Sequence, residues 1–303
     1  MEKIKKNKVG AVIIYYNPSA ENLASTLNNL EVVDFVVVVV NGPWDVRYEG
    51  ISERDGIRVV TLDQNKGIAT ATNIGLDLLR EIDDFSHFVL LDQDTSLPSD
   101  YRKLLELEAG LLAGGSDPGI ISPCYFNPRT GRISACLIFK KFSFRRFVPS
   151  KPLQECTCPI ASGSLIRAEV LRRAGRMKDD FFIDYVDNEF GLRLYSLGFQ
   201  NFVSADVKMA HELGAPTPRK ILGLNIRPTN HSPIRKYYIT RNRFVVVAQY
   251  LSLFPSLVFF EFLAISLDCF RVVFFEKQRM KKVQMIGCGL RDFLLGRMGE
   301  KSS

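Results

Sequence analysis

The 303-residue sequence lacks the cysteine and glycine patterns that identify several common classes of protein. Its six cysteines are scattered, and the closest pair, Cys156 and Cys158, has a spacing unlike that of a structural zinc site. The phosphate-cradling patterns G-x-G-x-x-G and G-x-x-x-x-G-K-[ST] are absent, which argues against a dinucleotide-binding oxidoreductase and a P-loop enzyme. The apolar run after the basic residues 1–8 is too short for an export signal, so we expect a reducing, cytoplasmic compartment.

Acidic residues are absent from two stretches of a chain whose formal net charge is +7. No Asp or Glu occurs between Leu213 and Phe260, or in the basic segment from Lys140 to Lys151. Such patches fit phosphate-bearing ligands or an anionic membrane surface. Because no helix-turn-helix, zinc-finger or RNA-binding signature accompanies them, we do not expect nucleic acid as a partner.

The chain also lacks an uncharged apolar run long enough to cross a membrane. The longest such run, Phe244 to Phe260, falls short of the ~20 residues that a spanning helix needs. Further along, Glu261 and Asp268 lie seven residues apart on one helical face, and cations from Lys277 to Lys282 follow. We therefore predict helices that lie in the interface of an anionic membrane; the alternative is a dimer interface, which would make the protein a homodimer.

Strand-like and helix-like segments alternate through the first half of the chain. The predicted strands are residues 9–15, 35–40, 57–62 and 87–91, and the predicted helices are residues 19–30, 68–82 and 99–112. This alternation predicts an α/β fold with a doubly wound, mostly parallel sheet. From residue 234 the sequence becomes helical and apolar, so we divide the chain into a sheet domain, 1–233, and a helical extension, 234–303.

Two acids, Asp92 and Asp94, directly follow the apolar run from His87 to Leu91. Ligands of open α/β sheets gather beyond the carboxyl ends of the strands. Two carboxylates one residue apart suit Mg²⁺ or Mn²⁺, and such a metal can bridge a diphosphate and stabilise its charge as it leaves. Taken alone, the motif is explained better as a solvated turn.

A second acidic cluster lies in residues 181–199. On a helix, Glu189 and Arg193 are i,i+4 partners, whereas Asp187 points elsewhere and is free to accept a proton as a general base. The alternative for Asp187 is a carboxylate that stabilises the start of the helix. Asp184 is expected to be structural or to cap a helix.

Two further features admit a binding and a packing interpretation. In the loop before the helix at 68–82, Gly67 lets backbone approach a ligand and Lys66 favours an anion at the helix N-terminus, or the loop is an ordinary turn. The Ser162-Gly163-Ser164 segment places small residues beside a ligand or in a tight packing turn. A lone histidine such as His211 is more often structural than a ligand.

Taken together, these segments resemble the inverting glycosyltransferase family 2, of GT-A fold, and within it the rhamnosyltransferases. The matching segments stand in the family's order: YYNP (15–18), NKGIATATNIG (65–75), LLDQDT (90–95), SGSLI (162–166), IDYVDNEFGLR (183–193), HELG (211–214), RNRF (241–244) and a C-terminal LRDFLLGRMG (290–299). Each segment is weak evidence alone, but their order across nearly the whole chain is a strong pattern.

The resemblance implies a role for each candidate site residue. Asp92 and Asp94 would form the metal-binding DXD motif for Mn²⁺ or Mg²⁺, His211 would join the metal or diphosphate site, and Asp187 would be the catalytic base. The residues implied near the nucleotide are Tyr16, Asn17, Pro18, Asn65, Lys66, Asn73 and Asp92. Family members often carry an acid at the end of the second strand, where this chain offers only Asn41 as a polar contact for the base or ribose.

The resemblance further implies an enzyme that moves L-rhamnose from dTDP-L-rhamnose to a lipid-linked or polysaccharide-precursor acceptor. It would act as a peripheral protein on the cytoplasmic face of the cell membrane. One base and no protein nucleophile imply a single displacement with inversion at the sugar. The alternatives are the same fold with another UDP- or dTDP-sugar donor, and a non-catalytic membrane-associated scaffold.

Overall fold

The computed structural model describes residues 7–45, 49–52, 54–128, 130–210, 219–221, 224–226 and 228–301. The strands are β1 (Val9–Tyr15), β2 (Phe35–Val40), β3 (Ile57–Thr61), β4 (His87–Asp92), β5 (Pro118–Phe126), β6 (Cys136–Lys140), β7 (Ser143–Phe147), β8 (Gln154–Glu155), β9 (Ser164–Arg167), β10 (Gln200–Ala210), β11 (Arg219–Ile221) and β12 (Leu224–Ile226). The helices are α1 (Ala20–Asn29), α2 (Glu49–Ser52), α3 (Ile68–Ile82), α4 (Lys103–Ala113), α5 (Ala168–Ala174), α6 (Val186–Ser196), α7 (Pro233–Tyr250), α8 (Pro255–Phe275) and α9 (Arg279–Leu294).

Eight strands form one sheet in the order β3-β2-β1-β4-β9-β5-β10-β8. The predicted parallel pairing is confirmed for β1 to β4. These strands are mainly apolar, and β1, β2 and β4 are largely buried, whereas β3 is only partly so. The other half of the sheet is mixed, because β9 runs antiparallel to both β4 and β5, and β8 runs antiparallel to β10. Strand β10 runs parallel to β5, so four of the seven pairs in this sheet are parallel. The large central sheet of an α/β fold is therefore present and, as predicted, mostly parallel.

Helices cover both faces of this sheet, as the doubly wound prediction requires. On one face, Leu27 of α1 and Leu104 of α4 pack against strand residues such as Val38. On the other face, Leu76 of α3 and Phe190 of α6 pack in a second apolar cluster. Helix α1 begins at a capping box in which Ser19 accepts a hydrogen bond from the Asn22 N–H, as its predicted N-cap role requires.

The C-terminal helices bury charged side chains between them. Lys236 of α7 is almost fully buried and lies 2.5 Å from the Asp268 carboxylate of α8. Arg243 of α7 likewise lies 2.9 Å from Glu261 of α8. Glu261 and Asp268 therefore lie on one face of α8, as predicted, and this face packs against α7. Lys282, predicted to flank the membrane, is instead buried, because its ammonium binds Glu276 at 2.7 Å.

The outward face of α8 is apolar, and the β6–β7 hairpin packs at its start. Phe259, Phe262, Phe270 and Phe274 of α8 are exposed. Within the part of the chain that the structure describes, no helix is both long and apolar enough to cross a membrane. All six cysteines are free. The reducing compartment stays a prediction.

Candidate active site

The carboxyl end of strand β4 is held by the Ser162 side chain. The Asp92 N–H donates to Ser162 Oγ at 2.9 Å, and the Ser162 and Thr95 hydroxyls lie 2.8 Å apart. Ser162 precedes Gly163, a turn residue with φ of +73°. The segment 162–164 therefore fixes the backbone that carries Asp92. Ser162 and Ser164 also line the cavity described next, so contact with a ligand stays a prediction.

A cavity of about 280 Å³ lies over this end of the sheet. Its walls are mainly apolar and come from β1, β4, β5, β9, α3 and α6. The charged residues among its lining are Asp92, Asp184, Asp187 and Arg235. Small-molecule sites are typically apolar hollows with a few convergent polar groups, so this cavity is the candidate active site. It brings together Asp92 and Asp187, which lie 95 positions apart in the sequence.

Asp187 enters the cavity from the first turn of α6. Its Oδ1 accepts a hydrogen bond from the Asn188 N–H at 2.9 Å. Burial raises the pKa of Asp187 to about 6, and the negative charges of Asp184 and Asp92 add to this effect. A carboxylate whose pKa lies this close to neutrality is suited to take a proton from a hydroxyl group.

Glu189, two residues further along α6, faces away from the cavity. Its side chain is fully buried and lies 2.8 Å from the Arg193 guanidinium, so the predicted i,i+4 pair is confirmed. The hydroxyl group of Tyr250 donates to the other carboxylate oxygen at 2.9 Å. Glu189 thus joins α6 to α7, whereas Asp187 remains turned toward the cavity.

Asp184 and Arg235 form an ion pair at the wall of the cavity. Arg235 Nε and Nη2 donate to the Asp184 carboxylate at 2.9–3.1 Å, a forked geometry that fixes both side chains. Hydrogen bonding to Asp184 raises the pKa of Arg235, and the charge of Asp92 acts in the same direction. The expected structural role of Asp184 is confirmed, and its partner brings a cation to the cavity.

The segment before Asp187 is held in an unusual backbone conformation. Phe182, Asp184 and Tyr185 all have φ near +63°, in the left-handed region that side chains other than Gly rarely adopt. Such conformations cost of order 1–3 kcal/mol each and persist only where the surroundings enforce them.

Helix α7 supplies the groups that enforce this conformation. Asn242 Nδ2 lies 2.9 Å from the carbonyl oxygens of Phe181, Ile183 and Asp184. Arg241 Nη2 donates to the carbonyl of Phe181 at 3.2 Å, and its Nη1 donates to that of Gly299. Both side chains are fully buried. They belong to the RNRF segment, for which the sequence offered a resemblance but no role.

The loops after β2 and β3 are joined by a network of amide groups. Asn41 Nδ2 donates to Asn65 Oδ1 at 3.0 Å, and Asn41 Oδ1 accepts from the Lys66 N–H at 2.8 Å. Asn65 Oδ1 also accepts from the Gly67 N–H at 2.9 Å. Asn41 therefore orders the loop that carries Asn65 and Lys66; contact of these residues with a nucleotide stays a prediction.

The backbone that approaches Gly67 is that of Phe182. A Cβ on Gly67 would lie 2.6 Å from the Phe182 carbonyl oxygen, which also accepts the Ile68 N–H at 2.7 Å. Asn73 of α3 is likewise buried, and its amide binds the backbone of Met177 and the Asp179 carboxylate. Both residues tie α3 to the segment before Asp187, and the nucleotide contact of Asn73 stays a prediction.

The remaining candidate residues lie outside the cavity lining. Tyr16 is 55% exposed, and its N–H donates to Gln93 Oε1 at 2.8 Å, which joins the loop of Asn17 and Pro18 to the DQD motif. Asp94 is exposed beyond the end of β4. His211 lies outside the described residues.

The carboxylates at the end of β4 fit a metal ion that is also bound by a phosphate group. Among the described residues, no group of three or more His, Cys, Asp and Glu side chains is placed to hold a metal ion. Mg²⁺ is commonly bound by one or two carboxylates, with substrate phosphates and water completing its shell. Asp92 and Asp94 can supply those carboxylates, and their predicted role as ligands stays a prediction.

Comparisons with known proteins place the chain near enzymes that use nucleotide sugars. No family model matches the sequence. A curated relative, the dTDP-rhamnosyl transferase RfbF of Shigella flexneri, is 29% identical over 245 residues, which is 80% of this chain and 80% of RfbF.

Solved structures of glycosyltransferases share the fold. GalNAc-T7 with UDP, GalNAc and Mn²⁺ matches with a TM-score of 0.57 and 13% identity, over 81% of this chain and 48% of that one. TarS 1–349 of S. aureus with UDP-GlcNAc matches with a TM-score of 0.56 and 16% identity, over 94% of this chain and 81% of that one. The chain thus spans about half the GalNAc-T7 chain. The large mixed sheet has the GT-A glycosyltransferase architecture.

Proposed function

We propose that this protein is an inverting glycosyltransferase that moves L-rhamnose from dTDP-L-rhamnose to a hydroxyl group of an acceptor. The observation that carries the proposal is the pairing of Asp187 with Asp92 in one cavity, in a chain related to a dTDP-rhamnosyl transferase. Asp92 lies at the carboxyl end of a central strand, where open sheets bind their ligands. Asp187 has the raised pKa that a general base needs.

Asp187 accepts the proton of the attacking hydroxyl group while the sugar–phosphate bond breaks. With a pKa of about 6, the carboxylate is largely ionised at neutral pH and holds the hydroxyl by a charge-assisted hydrogen bond. The new glycosidic bond forms on the face of the sugar opposite to the departing diphosphate, so a single displacement inverts the anomeric carbon. The proton passes to Asp187, and the bonding electrons leave with dTDP.

Asp92 and Asp94 would hold Mn²⁺ or Mg²⁺, which when bound supplies positive charge to the diphosphate leaving group. Arg235 lies in the same cavity and is fixed by Asp184, so a permanent cation faces the donor. The positive charge of its guanidinium stabilises the negative charge that develops on the diphosphate. Because the guanidinium is already in position, this stabilisation requires no reorganisation of the site. The apolar walls of the cavity exclude water, which limits hydrolysis of the donor.

The acceptor is proposed to be a lipid-linked or polysaccharide precursor at the cytoplasmic face of the cell membrane. The apolar outward face of α8 supports this assignment, because an interfacial helix buries such a face in the lipid boundary. Exposed cations at Lys277, Arg279 and Lys281 flank it and suit anionic lipid. A homodimer through α8 is the second candidate for this face.

Donor choice is tested by thermal-shift titration of the full chain with dTDP, UDP and GDP, with and without Mn²⁺. We expect the largest stabilisation from dTDP with Mn²⁺, since ligand binding to the native state raises its stability. Turnover of dTDP-L-rhamnose is then followed by NMR, and the product should carry the anomeric configuration opposite to that of the donor. Retention of configuration would refute the single-displacement mechanism.

The metal assignment is tested with Asp94→Ala. Asp94 is exposed, so its replacement leaves the core intact. We expect Mn²⁺-dependent binding of dTDP and turnover to be abolished, with an unchanged melting temperature in the absence of nucleotide. Asp100→Ala, at another exposed acid beyond the same strand, is the matched control and should behave as wild type. Wild-type Mn²⁺ stimulation in Asp94→Ala would refute the assignment.

A further inference from the structure

The β6–β7 hairpin forms one rigid surface with the start of helix α8. Ser256 joins them, because its Oγ donates to the Lys140 carbonyl at 2.6 Å and its N–H donates to the Lys141 carbonyl at 3.1 Å. The ring of Phe144 lies 5.2 Å from that of Phe260 in an edge-to-face contact. The hairpin turn is therefore joined to α8 by hydrogen bonds and by packing of aromatic rings.

Large aromatic side chains cover the outside of this surface. Phe142, in the hairpin turn, is 79% exposed, and Phe259 and Phe262 of α8 are 60% and 65% exposed. A groove of about 400 Å³ runs between the hairpin turn and the first turn of α8, lined by Phe142 and Phe259 among others. Contiguous exposed apolar surface of this kind marks a site of interaction with a protein or a membrane.

The same hairpin is strongly basic. Lys140, Lys141, Arg145 and Arg146 are exposed, and none of them forms an ion pair with a residue in the described ranges. No Asp or Glu occurs in the sequence between Asp117 and Glu155. Exposed cations beside exposed aromatic rings are the composition of elements that bind at an anionic lipid interface.

We propose that the β6–β7 hairpin docks on an anionic lipid bilayer together with the outward face of α8. Phe142, Phe259 and Phe262 enter the boundary between headgroups and acyl chains, and Arg145 and Arg146 lie near the lipid phosphates. The inference rests on the proposed membrane association of α8 and adds a second, basic element to it.

The charge of this surface favours lipid over a second copy of the chain. A symmetric dimer centred on this face would place two hairpins with the same cations opposite one another. Like charges brought together across an interface cost several kcal/mol. An anionic bilayer meets the same cations with opposite charge.

Insertion of the hairpin is measured by quenching of tryptophan fluorescence with brominated lipids. The chain has one tryptophan, Trp44, so a Trp44→Phe background removes the native signal. In this background, Phe142→Trp should be quenched in vesicles of brominated phosphatidylcholine and phosphatidylglycerol. Leu112→Trp, at an exposed apolar position on α4, is the matched control and should not be quenched.

The electrostatic part is measured by vesicle flotation of Arg145→Gln/Arg146→Gln in the full chain. Each cation near an anionic surface contributes ~1 kcal/mol, and 1.4 kcal/mol is a tenfold change, so partition to phosphatidylglycerol vesicles should fall about 30-fold. Arg58→Gln/Arg172→Gln removes two exposed cations elsewhere and should partition as wild type. Stabilisation by dTDP should be unchanged in both variants.

Each possible failure identifies the part that is wrong. If wild type floats with the vesicles but Phe142→Trp is not quenched and the hairpin variant floats equally, the hairpin does not dock. If wild type fails to float and forms a dimer that Phe142→Ser/Phe259→Ser dissociates, the face binds a second copy. Neither outcome alters the nucleotide titration, so the proposed enzymatic activity is judged independently.

Discussion

The C-terminal helices bury more charged side chains than the sheet region does, and they expose more aromatic ones. In the sheet, the five valines of β2 are buried, and charged residues such as Asp94 lie beyond the strand ends. In α7 and α8, the buried side chains include Lys236, Arg241 and Glu261, whereas four of the six phenylalanines of α8 are exposed. The contrast has a physical explanation if α8 contacts lipid, since the environment outside is then the apolar one.

The comparison also shows that the helices belong to the candidate site. The sheet contributes Asp92, but the position of Asp187 depends on a segment that α7 holds through Arg241 and Asn242. Arg235, the cation in the cavity, comes from the first turn of α7. The division at residue 233 stays a prediction, and on either side of it lie residues of the same cavity.

The largest effect is expected from the acid that the helices position. Asp187→Asn should keep donor affinity and lower turnover by ~10²–10⁴-fold, the usual contribution of a general base. The measurement is steady-state kinetics with dTDP-L-rhamnose and an acceptor. Glu189→Gln, at the neighbouring buried acid of the same helix, is the control and should lower turnover less. The reverse order would exchange the roles of the two acids.

The second effect tests whether buried charge holds the helices together. Glu276 is buried and binds Lys282 at 2.7 Å, the Thr229 hydroxyl at 3.1 Å and the Asn230 N–H at 3.2 Å. Glu276→Ala should lower the free energy of unfolding by about 3–5 kcal/mol, because the buried Lys282 loses its counter-charge. Denaturant titration measures it, and Glu106→Ala, at an exposed acid of α4, should change it by no more than about 0.5 kcal/mol.

The pH dependence of this stability gives an independent check. Burial raises the pKa of Glu276, but the hydrogen bond from Lys282 and the charge of Lys236 lower it more, so it lies below its usual value of 4.5. Its stabilisation is therefore complete above pH 4.5 and is lost as the pH falls through the folded-state pKa. Wild type should lose more stability in acid than Glu276→Ala; parallel curves would contradict the ion-pair explanation.

A third prediction tests whether Asn242 positions Asp187 or only stabilises the fold. Asn242→Ala removes the amide that binds three carbonyl oxygens, so the left-handed segment relaxes and Asp187 shifts. We expect turnover to fall about 10²-fold, the usual result of a displacement of ~1 Å at a reacting group, with donor KM unchanged. Gln249→Ala, at an exposed position of the same helix, is the control. A lower melting temperature with normal turnover would mean that Asn242 only stabilises the fold.

The smallest expected effect is the fall of kcat/KM at acidic pH. Because the pKa of Asp187 is raised to about 6, the base is protonated below that pH, and kcat/KM should fall tenfold for each further pH unit. Above it, kcat/KM should reach a plateau. The fall of kcat/KM near pH 6 should be absent from Asp187→Asn. In Asn242→Ala, the fall should occur at a different pH. A fall near pH 4 in wild type would mean that Asp187 is solvated.

Local spacing was sufficient to predict much of the sheet region. The strands β1 to β4 and helix α3 follow from apolar runs and helical periodicity, and the Glu189–Arg193 pair follows from one helical turn. The place of strand β9 in the sheet was harder to predict, since its four residues pair with strands that lie far away in the sequence. Its antiparallel insertion is a non-local outcome of packing.

The contacts that complete the site have no sequence signature. Arg235 and Asp184 are 51 positions apart, and no spacing rule links them. Asn242 binds backbone carbonyl groups. Because every residue has such a group, the sequence does not indicate which residues Asn242 binds. Turn signals rely on Gly, Asn or Asp at left-handed positions, and here Phe182 and Tyr185 occupy two of the three.

The buried charges of α7 also bear on the order in which the protein is made. A chain leaving the ribosome presents α7 before the groups that neutralise it, since Lys236 pairs with Asp268 and Arg243 pairs with Glu261, both in α8. Until those residues emerge, burial of α7 would leave cations without partners, which is strongly unfavourable. The nascent sheet can therefore fold before α7 packs, and we expect the cavity to close around Asp187 only after α8 has been synthesised.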